Sequence, residues 1–315
     1  MNFGRVAAAL FLVVLALACS ARAGGEAEVH ADDDRRAADA ADDRSVPAGD
    51  PCDFDVLDDA SSVPAGQGPL AVGKFVVRLE GGSVFVEHES EPGRVLFATP
   101  GGVLVGAAAV SLEVTEGQGS FQVKEVVKHR CGGAADEVRW DGLRLRLDGV
   151  LGGACSGQRF TWRFCNPLPN HLRFEIELGE GGADAVFLQA RADDDERFYG
   201  MGEQFARDTL DLRGRVVPVV VQEGGVGRGE EKASQFMETV SPGSSGSEAA
   251  TYYPVPHYVS SLDRSLFLEG ESISVFDFGQ GGVVEVRGYA RRMAGRILFG
   301  GSPLELVERF TASAG

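Results

Sequence analysis

The sequence has little that could hold it in a membrane, because it contains no apolar run of the roughly 20 residues that a transmembrane helix needs. The apolar run at residues 6–18 is shorter, follows Arg5, and precedes Ala21-Arg22-Ala23, a small-x-small pattern. This arrangement predicts a secretory signal peptide over residues 1–23, and hence a secreted or secretory-pathway protein with no membrane span. A lipoprotein signal ending at Cys19 is the competing interpretation, but Ala16 stands where leucine is preferred.

Positive charge is also scarce. The chain of 315 residues has 30 Lys and Arg against 47 Asp and Glu, a net charge of −17. Such a surface repels nucleic acids and anionic membranes, so we expect neither as a partner. Residues 224–229 are glycine-rich but lack the Lys-Ser/Thr ending of a phosphate-binding loop. We predict no cofactor.

Closely spaced cysteine pairs are absent, which argues against a zinc site, and we predict no metal. Cys19 lies in the predicted signal peptide, so Cys52, Cys131, Cys155 and Cys165 remain. An even number of cysteines in an exported protein predicts two disulfides. Four cysteines allow three pairings, and the sequence does not choose between them.

Helical periodicity is missing from most of the chain, whereas short alternating segments recur. We predict an all-β fold, a large antiparallel β-sandwich over residues 70–301. Leu143-Arg144-Leu145-Arg146-Leu147 illustrates the pattern, with leucines expected inward and arginines on a solvated face. The predicted strands cover residues 74–79, 84–88, 94–98, 110–114, 121–127, 143–147, 160–164, 172–178, 187–191, 216–221, 258–259, 265–268, 275–278 and 283–287.

Three segments fall outside this pattern. Residues 24–69 are acidic and poor in large apolar side chains, which predicts disorder. Residues 208–250 predict, apart from a strand at 216–221, a long loop with little structure, and such loops are usually functional. Ser302-Pro303-Leu304-Glu305 is a capping box with proline at the first helical position, so residues 302–315 predict a short helix and a truncated linker.

The stretch around which the chain is organised is residues 196–205, Glu-Arg-Phe-Tyr-Gly-Met-Gly-Glu-Gln-Phe. Glycines on both sides of Met201 permit positive φ and close backbone approach, which predicts a tight turn over residues 199–203. This turn would present Glu203 and Gln204 as candidate binding residues. The alternative is an ordinary sheet corner with a solvated glutamate.

Four blocks in this part of the chain resemble glycoside hydrolase family 31, in its sulfoquinovosidase and α-glucosidase-like branch. The first block, Arg-Phe-Tyr-Gly-Met-Gly-Glu, is similar to a signature of the family's N-terminal, galactose mutarotase-like sandwich domain. The others follow in the order expected of that branch. The blocks are residues 197–203, 222–229, 252–261 and 264–269.

This resemblance implies an N-terminal domain that supports the sugar pocket of a catalytic barrel in cis, and carbohydrate, an α-glycoside that is possibly sulfonated, as the partner. Family enzymes use a nucleophilic carboxylate and a carboxylic acid, with retention. By resemblance both lie in the barrel, which we expect to be absent from this chain, so we predict no catalytic residue here. The alternative function is a stand-alone, non-catalytic carbohydrate-binding or interaction module.

The block at residues 222–229 implies a loop that reaches the sugar, with Gln222, Glu223 and Arg228 as candidate contacts. Arginine suits an anionic oxygen group because its guanidinium is a planar fork. This chain has Gly224 where relatives commonly carry glutamine, which removes a donor and an acceptor. The alternative is a mobile loop with Arg228 in solvent.

The histidines do not cluster in the sequence. A sugar mutarotase, whose fold the predicted sandwich resembles, needs histidine and glutamate at fixed places for acid-base chemistry. We find no such arrangement, and therefore do not expect mutarotase activity.

Overall fold

The computed structural model describes residues 51–54, 57, 62–64, 68–117, 120–203, 209–222, 231–241 and 250–314. All of these residues lie in one compact unit. The predicted signal peptide and most of residues 24–69 therefore lie outside the described residues. No helix in these described ranges is long and apolar enough to cross a bilayer.

A small antiparallel sheet begins the described sandwich. Its strands pair in chain order, and they are β1 Leu70–Val72, β2 Phe75–Glu80, β3 Ser83–His88 and β4 Phe97–Ala98. Gly81 and Gly82 connect β2 to β3 with φ of 59° and 74°. Two positive φ values suit the primed turns that join hairpins, and the two strands correspond to those predicted at residues 74–79 and 84–88.

A second antiparallel sheet holds thirteen strands among the described residues. They are β5 Val105–Gly117, β6 Ser120–Trp140, β7 Arg144–Leu151, β8 Arg159–Leu168, β9 His171–Leu178, β10 Ala185–Arg191, β11 Phe198–Gly202, β12 Val216–Val219, β13 Pro254–Ser260, β14 Ser265–Glu269, β15 Ser274–Asp277, β16 Val283–Gly288 and β17 Arg292–Leu298. Their order across the sheet is β11-β13-β14-β17-β9-β8-β7-β6-β5-β10-β16-β15-β12.

This sheet folds over so that its two ends face each other. Strand β13 is second in the order and β15 is second from the other end, yet the rings of Tyr258 and Phe276 lie 6.2 Å apart. Phe198 of β11 lies 5.1 Å from Phe278, which follows β15. Aromatic contacts between opposite ends require two layers with a shared core. The predicted all-β sandwich is therefore confirmed.

Apolar side chains at every second position of the central strands fill this core. Phe160, Trp162 and Phe164 of β8 are each at most 1% exposed, and Phe174 and Ile176 of the adjacent β9 are equally buried. Successive side chains of a strand point to opposite faces, so every second residue reaches the interior. Burying each large apolar side chain contributes about 1.5–3 kcal/mol.

The outer face of β7, the neighbour of β8, differs from the solvated face that the sequence predicts. Leu145 and Leu147 are buried as expected, but Leu143, just before β7, is 47% exposed. The side chains of Arg144 and Arg146 are only 12% and 22% exposed, and they pair with Asp141 and Asp148. The alternation was correct for Leu145 and Leu147, but Asp141 just before β7 and Asp148 on β7 itself pair with the arginines and partly cover them.

Both predicted disulfides are present, as Cys52–Cys165 and Cys131–Cys155. The first joins residues 113 apart and ties the N-terminal segment to β8. Leu57 is fully buried, and the Val63 amide donates to the carbonyl of Val138 at 2.8 Å. The prediction that residues 24–69 are disordered is therefore wrong for these described residues, because a crosslink and a few apolar anchors offset their polar composition.

Two α-helices complete the described structure, α1 Glu231–Val240 and α2 Pro303–Ala314. Helix α1 was not predicted, because the glycine- and serine-rich sequence on both sides of it suggested a loop throughout. Helix α2 was predicted. The Glu305 amide donates to the Ser302 hydroxyl at 3.3 Å, and the Glu305 carboxylate accepts from the Gly301 amide at 2.8 Å.

The large apolar side chains of α2 are only partly buried. Leu306 is buried, and Phe310 packs edge-on against Phe267 with ring centroids 5.1 Å apart. Leu304 and Val307 are 65% and 44% exposed. The helix thus uses one narrow line of contact with the sandwich and leaves a second apolar line uncovered by described residues.

Candidate functional site

Strand β11, the first strand in the order of the large sheet, holds the stretch that the sequence singled out. The predicted tight turn over residues 199–203 is wrong, because Phe198–Gly202 pairs with β13 as an edge strand with a bulge after Gly200. Phe198 and Met201 are buried, whereas Tyr199 is 38% exposed. The bulge reorients the strand, and Glu203, the next residue, is exposed.

Three consecutive residues of this bulge have positive φ, namely Gly200 at 112°, Met201 at 65° and Gly202 at 91°. A Cβ on Gly200 would lie 2.5 Å from the carbonyl oxygen of His257, and one on Gly202 would overlap the carbonyl of Tyr253. The glycines are thus required for close approach as well as for conformation. Met201 adopts a conformation that non-glycine residues rarely take, and its burial in the core holds it there.

The residues before β11 form a polar anchor. The Glu196 carboxylate is 1% exposed and accepts from the guanidinium of Arg264 at 2.9 Å and from the amide of Asp193 at 3.0 Å. Arg264 also donates to the carbonyl of Val95 at 3.1 Å, and Arg213 donates to the carbonyl of Glu196. Glu196 opens the stretch at residues 196–205 and Arg264 opens the block at residues 264–269, and the structure gives them a positioning role that sequence analysis missed.

Two candidate binding residues are brought onto one short segment. The Glu203 amide donates to the carbonyl of Tyr253 at 3.3 Å, and the Gln222 amide donates to the carbonyl of Thr251 at 2.9 Å. The side-chain amide of Gln222 donates to the carbonyl of Phe121 at 3.2 Å. Its amide oxygen is buried and has no hydrogen-bond partner among the described residues.

The other candidates cannot be placed. Gln204, Glu223 and Arg228 lie outside the described residues, as does Gly224, so their predicted contacts stay predictions. The structure therefore brings together Glu203 and Gln222, from separate sequence blocks, and says nothing of the rest of the loop.

Exposed tyrosines mark the same end of the sheet. Tyr253 is 72% exposed, and Tyr199 and Tyr252 are 38% and 37% exposed. Tyrosine presents an apolar ring and a polar hydroxyl, which suits contact surfaces. Sequence analysis assigned these rings no role, although a Tyr-Tyr-Pro segment after a glycine-rich stretch was a usable signal.

The buried histidines near α2 are unsuited to acid-base chemistry at neutral pH. Burial lowers the pKa of His257 to about 4, and its ring stacks on Phe310 at 4.3 Å and bonds the hydroxyl of Ser265. Burial, with the charges of Arg296 and Arg309, lowers the pKa of His171 to about 3. Burial also raises the pKa of Tyr258, with a further contribution from the charge of Glu196. These groups therefore stay neutral and act in packing.

Comparison with known proteins gives a consistent relationship. No family model matches the sequence. The chain is 36% identical over 105 residues to a sulfoquinovosidase of Agrobacterium fabrum, which covers 33% of this chain and 16% of that protein. It is 25% identical over 144 residues to a sulfoquinovosidase of Escherichia coli, covering 46% and 21%. The chain thus matches about a fifth of the length of these curated relatives.

One solved structure has the same fold over most of the described region. It is a GH31 family sulfoquinovosidase from E. rectale in complex with an aza-sugar inhibitor, with a TM-score of 0.61 and 20% identity. The likeness covers 75% of this chain and 34% of that chain. The relationship to glycoside hydrolase family 31 that the sequence blocks indicated is confirmed.

Proposed function

We propose, starting from the relationship of this chain to glycoside hydrolase family 31, that it forms the N-terminal sandwich of an α-glycosidase and lends its β11 end to the sugar pocket of a catalytic barrel. The observation that carries the proposal is the position of Glu203 and Gln222. Both are held by hydrogen bonds to residues 251–253, at an exposed edge with three tyrosines. The substrate class is α-glycosides, with sulfonated α-glycosides among them.

The fixed backbone of β11 supports this role. A group that contacts a sugar must be held within a fraction of an ångström, and rigid elements do this better than loops. The positive-φ bulge and the buried Glu196–Arg264 pair immobilise the residues just before Glu203. Gln222 is held beside them by its backbone bond to Thr251 and its side-chain bond to the carbonyl of Phe121.

Exposed apolar residues supply a docking surface for a barrel. Leu304 and Val307 on α2 are 65% and 44% exposed. Large apolar side chains grouped on a helix favour burial against another protein surface. We assign this surface to the barrel in cis, because the matched relatives are several times longer than the aligned part.

The test joins this chain to the remaining part of the Agrobacterium fabrum sulfoquinovosidase, in place of that enzyme's own aligned region. Hydrolysis of aryl α-sulfoquinovoside and aryl α-glucoside is measured for the hybrid and for the chain alone. We expect turnover from the hybrid and none from the chain. Turnover by the chain alone would show that catalytic groups lie here, and a folded but inactive hybrid would remove the supporting role.

Glu203→Gln tests the site within the hybrid. We expect kcat/KM to fall about tenfold, as for loss of one polar contact of about 1.4 kcal/mol. Glu180→Gln is the matched control, because Glu180 is 95% exposed between β9 and β10, and it should leave kcat/KM unchanged. Equal effects of the two variants would contradict the proposed site. Tight sugar binding by the chain alone would favour the stand-alone binding module.

A further inference from the structure

Three metal-binding side chains converge beside strand β6. His129 and Cys131 are two residues apart on that strand and therefore point to the same face. Cys155 lies on a short 3-10 helix, Gly153–Cys155, that follows β7 and packs against β6. The ligand atoms of His129, Cys131 and Cys155 all lie within 4.8 Å of one another.

The histidine of this group has unused hydrogen-bonding capacity. Its Nε2 atom is buried and has no hydrogen-bond partner among the described residues. A buried polar nitrogen without a partner is unfavourable, so a ligand that bonds it gains stability. In the oxidised protein the two sulfurs are joined, and a disulfide is a poor metal ligand because only the thiolate binds well.

We propose that the chain with the Cys131–Cys155 disulfide reduced binds one Zn²⁺ through His129, Cys131 and Cys155, with water as the fourth ligand. Two thiolate sulfurs and one imidazole nitrogen suit a tetrahedral zinc ion. A tetrahedral site with Zn–S bonds of about 2.3 Å separates two sulfurs by about 3.8 Å. The Cα atoms of the two cysteines lie 5.9 Å apart, so side-chain rotation with a small shift achieves this.

The chemistry balances with an external thiol or phosphine reductant. The reductant supplies two electrons, the S–S bond breaks, and two protons are taken up to give two thiols. Zn²⁺ then binds both sulfurs and the neutral imidazole, releasing the two thiol protons to solvent. The site would therefore exchange a covalent crosslink for a coordinated one at the same place in the fold.

A cleft of about 350 Å³ lies beside this group, lined by Cys131, Gly132, Gly152 and Gly153 but not by His129 or Cys155. The other disulfide, Cys52–Cys165, belongs to no such group among the described residues. Reduction of Cys131–Cys155 therefore creates a candidate metal site, whereas reduction of Cys52–Cys165 creates none within the described part of the chain. The Cys52–Cys165 disulfide provides an internal control.

The experiment titrates the reduced full chain with Zn²⁺ alone, and with Co²⁺ as a spectroscopic probe. We expect one equivalent of Zn²⁺ per reduced chain and none per oxidised chain, with release of two protons on binding. Co²⁺ should give the intense visible bands of a tetrahedral site and a near-ultraviolet thiolate charge-transfer band. Absence of stoichiometric binding by the reduced chain would overturn the proposal.

Variants separate this site from non-specific thiol binding. Cys52→Ser/Cys165→Ser should keep full affinity after reduction. His129→Asn should weaken Zn²⁺ binding by at least about 100-fold, since loss of even an outer-shell partner costs 10–100-fold. Equal affinity of His129→Asn and wild type, or loss of binding only in Cys52→Ser/Cys165→Ser, would contradict the assignment. Circular dichroism of each variant, oxidised and reduced, verifies that the sandwich is intact.

Discussion

Two ion pairs of nearly equal length show how differently charge is used in two regions of this sandwich. At the β11 end, Arg264 lies 2.9 Å from Glu196, and on the outer face of β8 and β9, Arg163 lies 2.8 Å from Glu177. The arginine side chains are 18% and 19% exposed. The carboxylates differ, with Glu196 1% exposed and Glu177 52% exposed.

This difference determines what each pair contributes. Arg163 also contacts Glu175, and Glu175 also contacts Arg173 and Arg292, so this face is a network in which partners substitute for one another. Exposed pairs of this kind contribute about 0–1 kcal/mol. Among the described residues the Glu196 carboxylate has one cationic side-chain partner, Arg264, and it is almost completely shielded from solvent. Loss of the contact with Arg264 would therefore leave a buried charge. The β11 end is thus a fixed point, whereas the Arg–Glu face tolerates change.

The largest effect is expected from the glycine bulge. Gly202→Ala should destabilise the fold by more than about 4 kcal/mol, because the new Cβ overlaps a backbone carbonyl. Gly93→Ala is a matched control, since Gly93 has φ of 90° against 91° but nothing within 4 Å of its Cβ position. It should cost only the 1–2 kcal/mol of a left-handed residue. Denaturant unfolding of both variants makes the comparison, and equal losses would show that conformation alone requires Gly202.

Next in size is removal of one carboxylate from each ion pair. Glu196→Gln should destabilise the protein by about 3 kcal/mol, because it removes the buried anion and leaves Arg264, among the described residues, only the exposed carboxylate of Asp193 at 3.4 Å. Glu177→Gln should cost less than about 1 kcal/mol. Chemical denaturation at constant pH checks both values. If the two variants lost the same stability, the proposed contrast between buried and networked pairs would fail.

The two regions should lose stability in different pH ranges as the solution is acidified. The folded-state pKa of His257, about 4, lies below its ordinary 6.5, so the unfolded state binds more protons between these values. Stability is therefore complete above pH 6.5 and is lost as pH falls toward 4, by about 2 kcal/mol from pH 7 to pH 5. His171 adds a similar loss. His257→Phe should remove its share of this slope, measured by unfolding at each pH, and an unchanged slope would exclude the histidine.

The stability contributed by the Arg–Glu face should depend on pH in a lower range than the contribution of His257. Burial alone would raise the pKa of Glu175, but the hydrogen bond from Arg292 and the charges of Arg292, Arg173 and Arg163 outweigh it and hold the pKa below 4.5. Its contribution is therefore present above pH 4.5 and is lost only as pH falls below that value. Glu175→Gln should flatten the acid limb below pH 4.5 and leave the limb above it unchanged.

The smallest effect is expected from Arg228→Ala. As a residue of the predicted loop at 222–229, it should change the stability of the chain by less than about 0.5 kcal/mol. In the hybrid enzyme, the same change should weaken capture of the sulfonated substrate more than that of the glucoside, because a guanidinium binds a desolvated anion strongly. Thermal melts test the expected stability, and KM values for the two substrates test the expected effect on capture. A large stability loss would instead make Arg228 a structural ion-pair partner.

Local patterns predicted much of this fold, and tertiary contacts account for the rest. Alternation located β8 and β9, and glycines located the β2–β3 turn. The 21 residues of β6 exceeded the predicted segment, because Gly132 and Gly133 interrupt the pattern while β5 and β7 supply the pairing. At the site, Glu203 and Gln222 were selected from sequence, but the Glu196–Arg264 pair joins residues 68 apart and emerges only from packing.

The strand order also has a consequence for how the chain folds. Strands β5 to β9 are neighbours in both sequence and space, so each can add to the last by a short closure. In contrast, β17 must return to β9 across more than a hundred residues, and β10 must reach past this group to β5. We expect pulsed hydrogen exchange during refolding to protect β6–β8 first and β11 last. The end of the molecule that is most rigid when native would then be the last to acquire its structure.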